Sequence, residues 1–299
     1  MSPSFHNTCA IIVAYCPDAH FPDRLEKVVA QFSLTIIVDN ASSDPSAKML
    51  RILSATPNVV LLTNTSNLGI AAALNQGLML ALERDFEWGL TLDQDTLVYP
   101  DLRDTLSTIY VNNDMGDIIA GGNYWNVHRR KNFISCSPGK AAVERTTLIT
   151  SGTLLSIALV KRIGGFREDY FIDSVDHEFC LRARAHGCRI LMCCKPVMSQ
   201  SIGVAKEQNG WISGLASFNH SPFRKYFIAR NATATIKSYF FREPAWAVRQ
   251  VCRLVFDFAS ILLLEHDKGK KVQAFLVGLA HGVIGKMGAI ESAWPNGSR

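Results

Sequence analysis

The stretch WGLTLDQD, from Trp88 to Asp95, is a short apolar strand pattern that runs directly into two carboxylates one residue apart. Ligands of open α/β sheets bind at the carboxyl ends of the strands, so Asp93 and Asp95 are candidates to face a divalent cation and a diphosphate. Mg²⁺ and Mn²⁺ prefer carboxylate oxygens and share their remaining positions with phosphates. Isolated acidic pairs are common on protein surfaces, and the preceding strand is what gives this pair its weight.

The sequence before this stretch alternates short β-branched runs with helical patterns, which is typical of βαβ units around a mainly parallel sheet. The predicted strands and helices, in chain order, are Cys9–Ala14, Leu25–Gln31, Leu34–Val38, Ser46–Ser54, Val59–Leu62 and Ala71–Glu83. Asp39 follows its strand as Asp93 follows Trp88–Leu92. The pattern predicts an α/β fold whose central sheet is flanked by helices and carries a nucleotide at one edge.

The pattern beyond Asp95 is less regular. Residues Gly121–Gly139 contain a glycine pair and a basic run, and we expect a long loop near an active site there. Leu148–Leu159 resumes an apolar strand and turn, and Asp176–His186 has helical spacing that ends before a C-capping glycine. From residue 219 onward the pattern is helical, so we expect a catalytic domain of residues 1–218 and a helical extension of residues 219–299.

Composition and charge narrow the function classes. The chain has 299 residues, of which 48% are hydrophobic and 19% charged, and this excludes disorder, collagen and coiled coil. The net charge is +5, yet residues 219–299 alone hold 12 Lys and Arg against 5 Asp and Glu. A basic segment beside apolar stretches suits an anionic membrane surface or a phosphate-bearing substrate, and no nucleic-acid-binding motif accompanies it. Solvated helix faces are an equally weighted explanation.

Cysteine spacing and apolar length bear on the compartment. The eight cysteines form no C-x-x-C pair, so we expect free thiols in a reducing cytosol. Met1–Asn7 lacks the charged and apolar regions of a secretory signal. Leu254–Leu264, the most apolar part of the extension, contains Asp257 and is much shorter than the roughly 20 residues that span a bilayer. We therefore expect a cytoplasmic protein that does not cross the membrane by itself.

A second acidic cluster lies in Tyr170–Arg184, YFIDSVDHEFCLRAR. Carboxylates among apolar neighbours tend to have raised pKa values, which suits a general base near neutral pH. Asp173, Asp176 and Glu178 are the candidates. The alternative is a helix N-terminus whose acids complement the helix dipole, with Glu178 and Arg182 as an i,i+4 ion pair.

These motifs together resemble glycosyltransferase family 2, and within it the bacterial rhamnosyltransferases of polysaccharide and O-antigen biosynthesis. The matching stretches follow the family order over residues 9–231: Ile36–Asp44, Ser66–Asn75, Leu92–Asp95, Thr150–Thr153, Gly164–Asp169, Phe171–Arg182 and His220–Asn231. The resemblance implies a GT-A fold, in which a nucleotide sugar lies across the strand ends. Any one of these stretches could be chance, whereas the ordered set is specific.

The resemblance also assigns roles on the donor side. It implies that the base is contacted by Ala14 and Tyr15 and that Asp39 holds the base or ribose. The nucleotide-sugar site is completed by Asn67, Gly69, Asp93 and Gln94. Asp95 would coordinate a divalent cation, Mg²⁺ or Mn²⁺. Family members usually add a histidine to this metal site, and here Gln200 stands in its place, so we expect weaker metal binding and a Mg²⁺ preference because an amide oxygen suits Mn²⁺ less well than imidazole.

On the acceptor side, the resemblance makes Asp176 the catalytic base of an inverting displacement and gives Glu178 the task of orienting the acceptor. Trp125, His220 and Arg224 complete the expected acceptor site. Residues Arg224–Arg249 combine basic and aromatic residues on predicted helices, and we expect this region to face the acceptor or a membrane.

The predicted function is transfer of a sugar, L-rhamnose from dTDP-L-rhamnose in first place, to a bacterial surface glycan or a polyprenyl-diphosphate-linked acceptor at the inner face of the cell membrane. Transfer of another hexose or furanose from a UDP-sugar is the alternative within the class. A Rossmann oxidoreductase is disfavoured because no G-x-G-x-x-G follows the first predicted strand. A catalytically inactive sugar-nucleotide-binding protein is the last alternative, since Gln200 departs from the family pattern.

Overall fold

The computed structural model of the chain describes residues 1–200 and 219–289. Its first part is the predicted alternation: β1 (Thr8–Ala14), α1 (Phe21–Val29), β2 (Leu34–Asp39), α2 (Ser46–Leu53), β3 (Val59–Thr63), α3 (Ile70–Glu83) and β4 (Trp88–Asp93). Local sequence explains these bounds; for example, α1 has a proline in its first turn and buries Phe21, Leu25 and Val28 on one face. The predicted strands and helices of this part are confirmed to within a few residues.

The second part holds shorter strands among helices. It comprises β5 (Leu97–Val98), α4 (Leu102–Val111), β6 (Ile118–Asn126), β7 (Lys131–Asn132), β8 (Ala142–Glu144), β9 (Thr153–Ser156), α5 (Ile157–Ile163), a 3₁₀ turn (Glu168–Tyr170), α6 (Val175–Ala185) and β10 (Arg189–Gln200). After the undescribed residues come α7 (Pro222–Tyr239), α8 (Pro244–Leu264) and α9 (Lys268–Ile284). A helical C-terminal region is thus confirmed, while a domain boundary at residue 218 stays a prediction at the edge of the undescribed stretch.

The loop expected at Gly121–Gly139 is wrong for its first six residues, which belong to β6. The two glycines there are packing residues of the sheet. A Cβ on Gly121 would lie 2.6 Å from the Leu148 side chain, and one on Gly122 would lie 2.9 Å from that of Val197. Close packing of other side chains against the backbone therefore requires glycine here, where the sequence pattern indicated a turn.

The sheet has the strand order β3-β2-β1-β4-β9-β6-β10-β5. The four strands β1 to β4 pair in parallel, and so do β6 and β10, whereas β9 runs antiparallel between β4 and β6. The strands on both sides of β9 consequently end at the same edge. That edge carries Asp39, Asp93, Asn126 and Gln200 at four different strand ends.

Two apolar layers cover the two faces of the sheet. The alternate residues Cys9 and Ile11 of β1 pack towards α3, α5 and α6, while Ala10 and Ile12 pack towards α1 and α4. This alternation follows from the two-residue period of a strand, which decides the face of the sheet that each side chain covers.

The C-terminal helices pack tightly on one another. A Cβ on Gly278 of α9 would lie 2.4 Å from the backbone oxygen of Tyr226 in α7, and one on Gly282 would lie 2.5 Å from that of Arg230. The buried Lys225 and Lys271 each form a 2.9 Å ion pair with the buried Glu265. Across residues 1–200 and 219–289, none of the helices combines the length and apolarity needed to cross a bilayer.

The expectation of free thiols is wrong for one pair. Cys136 and Cys194 form a disulfide, and the other six cysteines are free. The two partners are 58 residues apart in sequence, and they meet because Cys194 lies on β10 while the loop after β7 folds back over that strand. No local spacing rule could have indicated this pair.

Candidate active site

Three carboxylates converge at the edge of the sheet. Asp93 ends β4, Asp95 follows in a turn in which the Thr96 amide donates to the Asp93 backbone oxygen, and Asp176 lies in the first turn of α6. Burial raises the pKa of Asp93 to about 7, and the negative charges of Asp95 and Asp176 add to the effect. Burial also raises the pKa of Asp95. The clustering of these three residues, which the sequence suggested, therefore creates a site that favours a proton or a cation.

Buried polar side chains hold Asp93 in place. Gln200 at the end of β10 donates from Nε2 to Asp93 Oδ2 at 3.3 Å and to Thr96 Oγ1 at 3.1 Å. The hydroxyl of Ser151 accepts from the Asp93 amide at 3.1 Å and lies 2.6 Å from Thr96 Oγ1. This network links β4 to β10 across the intervening strands.

The residues at this edge suit a divalent cation that prefers oxygen. Oε1 of Gln200 is buried and has no hydrogen-bond partner among the described residues, and the same amide contacts Asp93 through its nitrogen. An unpartnered carbonyl oxygen beside carboxylates is a donor that Mg²⁺ can use. Within the described ranges no group of three or more His, Cys, Asp or Glu residues could hold a metal, so a cation here would rely on Asp95 and the Gln200 amide oxygen.

Hydrogen bonds join the residue that follows β1 to the carboxylate motif. Tyr15 donates its amide to Gln94 Oε1 at 2.7 Å, and Gln94 Nε2 returns a bond to the Tyr15 oxygen at 3.2 Å. Arg24 donates to the Gln94 backbone oxygen at 2.9 Å. The ring of Tyr15 is 37% exposed and Ala14 is fully buried, so the tyrosine ring is the accessible part of this predicted base-binding segment.

A network of amides supports the loop before α3. The buried Asn40, next to Asp39, donates to Asn67 Oδ1 at 2.8 Å and to the Gly69 oxygen at 3.2 Å, and it accepts from the Leu68 amide at 2.9 Å. Asn67 Oδ1 also accepts from the Gly69 amide at 2.9 Å. Asp39 is buried and caps its own turn by accepting from the Ser42 amide. The predicted donor residues Asp39, Asn67 and Gly69 are thus brought together at the end of β2.

The turn before α6 touches this donor-side loop. Its residues Phe171, Asp173 and Ser174 have φ values of 61°, 63° and 61°, a left-handed conformation that costs side-chain-bearing residues about 1 kcal/mol or more each. The Ile70 amide donates to the Phe171 oxygen at 2.8 Å, and a Cβ on Gly69 would lie 2.5 Å from that same oxygen. The predicted donor loop and the turn that leads to Asp176 are therefore in direct contact.

The predicted acceptor residues lie in different places. Arg224 of α7 forms an ion pair with Asp173 through two hydrogen bonds of 3.3 and 3.2 Å. Its positive charge lowers the pKa of Asp93 and so offsets part of the effect of burial. Trp125 is 38% exposed on β6, paired with Ser199 one residue before Gln200. Arg224 therefore lies near the carboxylates, and Trp125 lies at the same edge of the sheet as Gln200.

His220 faces a different set of charges. Burial lowers its pKa to about 4, and the charges that act on it are those of Arg224, Lys225, Glu265 and Lys271. It is therefore a neutral side chain near the buried lysines of the C-terminal helices.

Glu178 is not presented to an acceptor. Its side chain is buried, accepts two 3.0 Å bonds from Arg182 and one 3.1 Å bond from the Tyr239 hydroxyl. The expectation that it orients the acceptor does not fit this environment, because its oxygens are committed to neighbours in the interior. The i,i+4 ion pair that the sequence also allowed is the arrangement found.

Sequence reasoning missed several residues that shape the site. Arg24, Asn40 and Thr96 each hold a predicted site residue through a hydrogen bond. Asn40 and Thr96 stand directly beside Asp39 and Asp95, so their position just past a strand end was a usable signal. Arg24 lies in mid-helix and nothing in the sequence indicated its contact.

Comparison with known proteins gives a consistent result. Residues 9–131 match the model of glycosyl transferase family 2. The dTDP-rhamnosyl transferase RfbF of Shigella flexneri is 25% identical over 296 residues, covering 94% of this chain and 97% of that protein.

Solved structures share the fold. TarS 1–349 of S. aureus, in complex with UDP-GlcNAc, aligns at a TM-score of 0.59 with 18% identity, covering 91% of this chain and 81% of that one. The mannosyltransferase PcManGT from Pyrobaculum calidifontis, in complex with GDP-Man and Mn²⁺, aligns at 0.55 with 17% identity, covering 95% and 89%. The expected fold class and enzyme class are confirmed: the chain has a GT-A fold with C-terminal helices, and the protein is a glycosyltransferase whose residues 9–131 resemble family 2.

Proposed function

We propose that the protein is an inverting glycosyltransferase that moves L-rhamnose from dTDP-L-rhamnose to a hydroxyl of a bacterial surface glycan or a polyprenyl-diphosphate-linked acceptor. The observation that carries the proposal is the convergence of Asp93, Asp95 and Asp176 at the strand ends. The dTDP-rhamnosyl name of the 25% identical Shigella relative supports the choice of donor.

On the donor side, the exposed ring of Tyr15 and the buried Asp39 bind the base and ribose, and the Asn67–Gly69 loop borders the nucleotide. Asp93 lies beside the ribose and sugar. Asp95 and the unpartnered Gln200 Oε1 hold the divalent cation. When bound, that cation supplies positive charge that stabilises the diphosphate as it leaves.

Asp176 is the general base of the reaction. It takes the proton of the acceptor hydroxyl while that oxygen attacks the anomeric carbon from the face opposite the diphosphate. The new bond joins the acceptor oxygen to the anomeric carbon. The bond that breaks joins this carbon to the diphosphate, which departs with the electron pair. One in-line displacement inverts the configuration at that carbon.

The first experiment measures release of nucleoside diphosphate from a panel of nucleotide sugars with Mg²⁺, Mn²⁺ or EDTA, since slow donor hydrolysis needs no acceptor. We expect release from dTDP-L-rhamnose, lost with EDTA and strongly reduced in Asp176→Asn. Release from a UDP-sugar alone would replace the proposed donor. If no donor is turned over, calorimetry separates an enzyme that binds the donor and waits for its acceptor from a protein that has lost its metal site and binds no donor, and the second result would overturn the donor-transfer proposal.

A second experiment concerns the cation. With Gln200 as the amide ligand we expect weak binding and a preference for Mg²⁺ over Mn²⁺. Gln200→His should tighten Mn²⁺ affinity, measured by titration of the metal alone into the protein. An affinity that is no tighter in this variant would argue against Gln200 as a ligand.

We also propose peripheral association with an anionic membrane at the inner face of the cell membrane. Of the aromatic residues expected to face outward, Tyr226, Phe227, Tyr239 and Trp246 are buried, and Phe240 and Phe241 are exposed. The support comes instead from exposed apolar residues along α8, here called the α8 face: Val248, Val251, Val255, Leu262 and Leu263. The exposed Arg249 and Arg253 lie on the same helix. Apolar residues beside cations match an anionic lipid surface.

Vesicle flotation tests this association. Wild type should float with vesicles rich in anionic lipid at low salt and less with neutral ones. Val255→Asp should reduce flotation, whereas Met79→Asp, which alters an equally exposed apolar residue on α3, should not. Wild type that stays unbound to anionic vesicles at low salt would overturn the proposal.

A further inference from the structure

The turn from Tyr170 to Ser174 holds a conformation that its own residues do not favour. Phe171, Asp173 and Ser174 carry side chains at positive φ, and Ser174 begins α6 without a side-chain capping bond. Such a turn persists only where neighbouring groups determine it. The groups that do so are side chains of α7, together with the Ile70 amide of α3, which donates to the Phe171 oxygen.

Asn231 of α7 binds the backbone of this turn. It is fully buried, and its Nδ2 lies 2.8 Å from the Tyr170 oxygen, 2.7 Å from the Ile172 oxygen and 3.0 Å from the Asp173 oxygen. One amide group thus contacts three of the four backbone oxygens of residues 170–173. Because the Asn231 side chain is fully buried, the loss of these bonds leaves buried polar groups unpaired, which is costly.

Arg230 fixes the direction of that amide. Its Nε donates to Asn231 Oδ1 at 2.8 Å, and because a guanidinium can only donate, the oxygen must face Arg230 and the nitrogen must face the turn. Arg230 also binds the Asp169 and Tyr170 oxygens from Nη2, at 3.0 and 3.2 Å, and its guanidinium lies 4.6 Å from the centre of the Phe227 ring.

We propose that Asn231, oriented by Arg230, is a positioning residue that fixes the aim of Asp176 by holding the Tyr170–Ser174 turn from helix α7. Asn231 touches no substrate in this account. The turn leads directly into α6, and Asp176 is the second residue of that helix. The inference rests on the proposed role of Asp176 as the base.

A matched pair of variants separates positioning from general stability. Asn231→Leu keeps the side-chain volume and removes the bonds to the turn. Thr235→Val, one helical turn further along α7, removes a buried bond to the Tyr170 hydroxyl and leaves the backbone of the turn bound. Asn231→Asp serves as a second isosteric variant if Asn231→Leu does not fold, because a carboxylate keeps the Arg230 bond and cannot donate.

Hydrogen exchange in the peptide covering residues 168–178 is the readout that needs no activity. We expect the Asn231 variants to exchange faster there than wild type, and Thr235→Val to match wild type. Nucleoside-diphosphate release should fall about 100-fold in kcat, because a displacement of about 1 Å costs that much, with the donor KM unchanged. Thr235→Val should stay close to wild type.

Equal exchange in the Asn231 and Thr235 variants would overturn the inference, and so would unchanged kcat in an Asn231 variant whose turn exchanges faster. Asp176→Asn in the same assay distinguishes the two proposals. If it releases nucleoside diphosphate at the wild-type rate, the proposed base is wrong, whereas the exchange result still reports whether Asn231 holds the turn.

Discussion

The two sides of the candidate site are each held by a buried asparagine, but the two asparagines come from different parts of the chain. Asn40 binds the donor-side loop from the end of β2, and its partners Asn67 and Leu68 lie 27 and 28 residues away. Asn231 binds the turn before Asp176 from α7, up to 61 residues after its partners, and depends on a buried arginine. The sheet therefore builds its own donor side, whereas the base side depends on the C-terminal helices.

The largest expected effect is on the transfer rate, and it comes from a variant on the base side. Asp176→Asn should reduce transfer by about 10²- to 10⁴-fold, the contribution of a general base, and leave donor affinity by calorimetry within about twofold, because Asp176 does not hold the nucleotide. A parallel loss of donor binding would show that the two sides are not separable.

A smaller effect is expected on donor affinity, and it comes from a variant on the donor side. Asn40→Leu removes the bonds to Asn67, Gly69 and Leu68, and we expect donor affinity to weaken about tenfold, since one or two buried hydrogen bonds are worth about 1–3 kcal/mol. Gln76→Leu is the control, because Gln76 bonds only the outer member of the network, Asn64. Calorimetry measures the affinity of the two variants for the same donor, and equal affinities would contradict the role of Asn40.

The helix packing behind the base side should affect stability. Gly282→Ala forces a Cβ to within 2.5 Å of the Arg230 oxygen, and overpacking of this kind costs about 1–3 kcal/mol. Gly269→Ala, in the first turn of the same helix, meets nothing within 4 Å and should stabilise by at most about 0.5 kcal/mol, because glycine is a poor helix former. Denaturant unfolding of both variants measures the difference, and a neutral Gly282→Ala would mean that α7 and α9 can separate freely.

The smallest effect concerns pH. Burial lowers the pKa of His220 to about 4 in the folded chain, below the ordinary 6.5, so the unfolded chain binds the proton first and stability falls as pH drops from about 6.5 towards 4. Because the side chain is partly exposed, we expect no more than about 1 kcal/mol between pH 7 and 5. His220→Gln should flatten that part of the stability curve, and an unchanged slope would exclude His220 as its source.

The sequence predicted most of the fold because strand and helix periods are local. The strand ends at Asp39 and Asp93 were readable for the same reason, and they located the functional edge. Gly121 and Gly122 were misread because their role depends on Leu148, between β8 and β9, and on Val197 of β10. Packing partners that lie far along the chain leave no local pattern.

The candidate site was likewise predictable only where a local sequence pattern marks its residues. Asp93 and Asp95 were singled out as carboxylates at a strand end, whereas Asp176 was chosen from Asp173, Asp176 and Glu178 only by the family resemblance. Glu178 could be read in two ways, and its burial together with its bonds from Arg182 and from Tyr239 of α7 favours the ion pair. The capture of the Tyr170–Ser174 backbone by Asn231 could not be inferred, since an asparagine in mid-helix has no spacing rule that names its partner.

Gly69 has an evolutionary consequence. A side chain there would collide with the backbone of Phe171, at 2.5 Å from its oxygen and 2.8 Å from its Cα. Trimming Phe171 to a smaller residue would not relieve the collision with these main-chain atoms. Position 69 can therefore change only if the main chain of the opposing turn moves as well, so descendants of this sequence that change one of these two loops must change both.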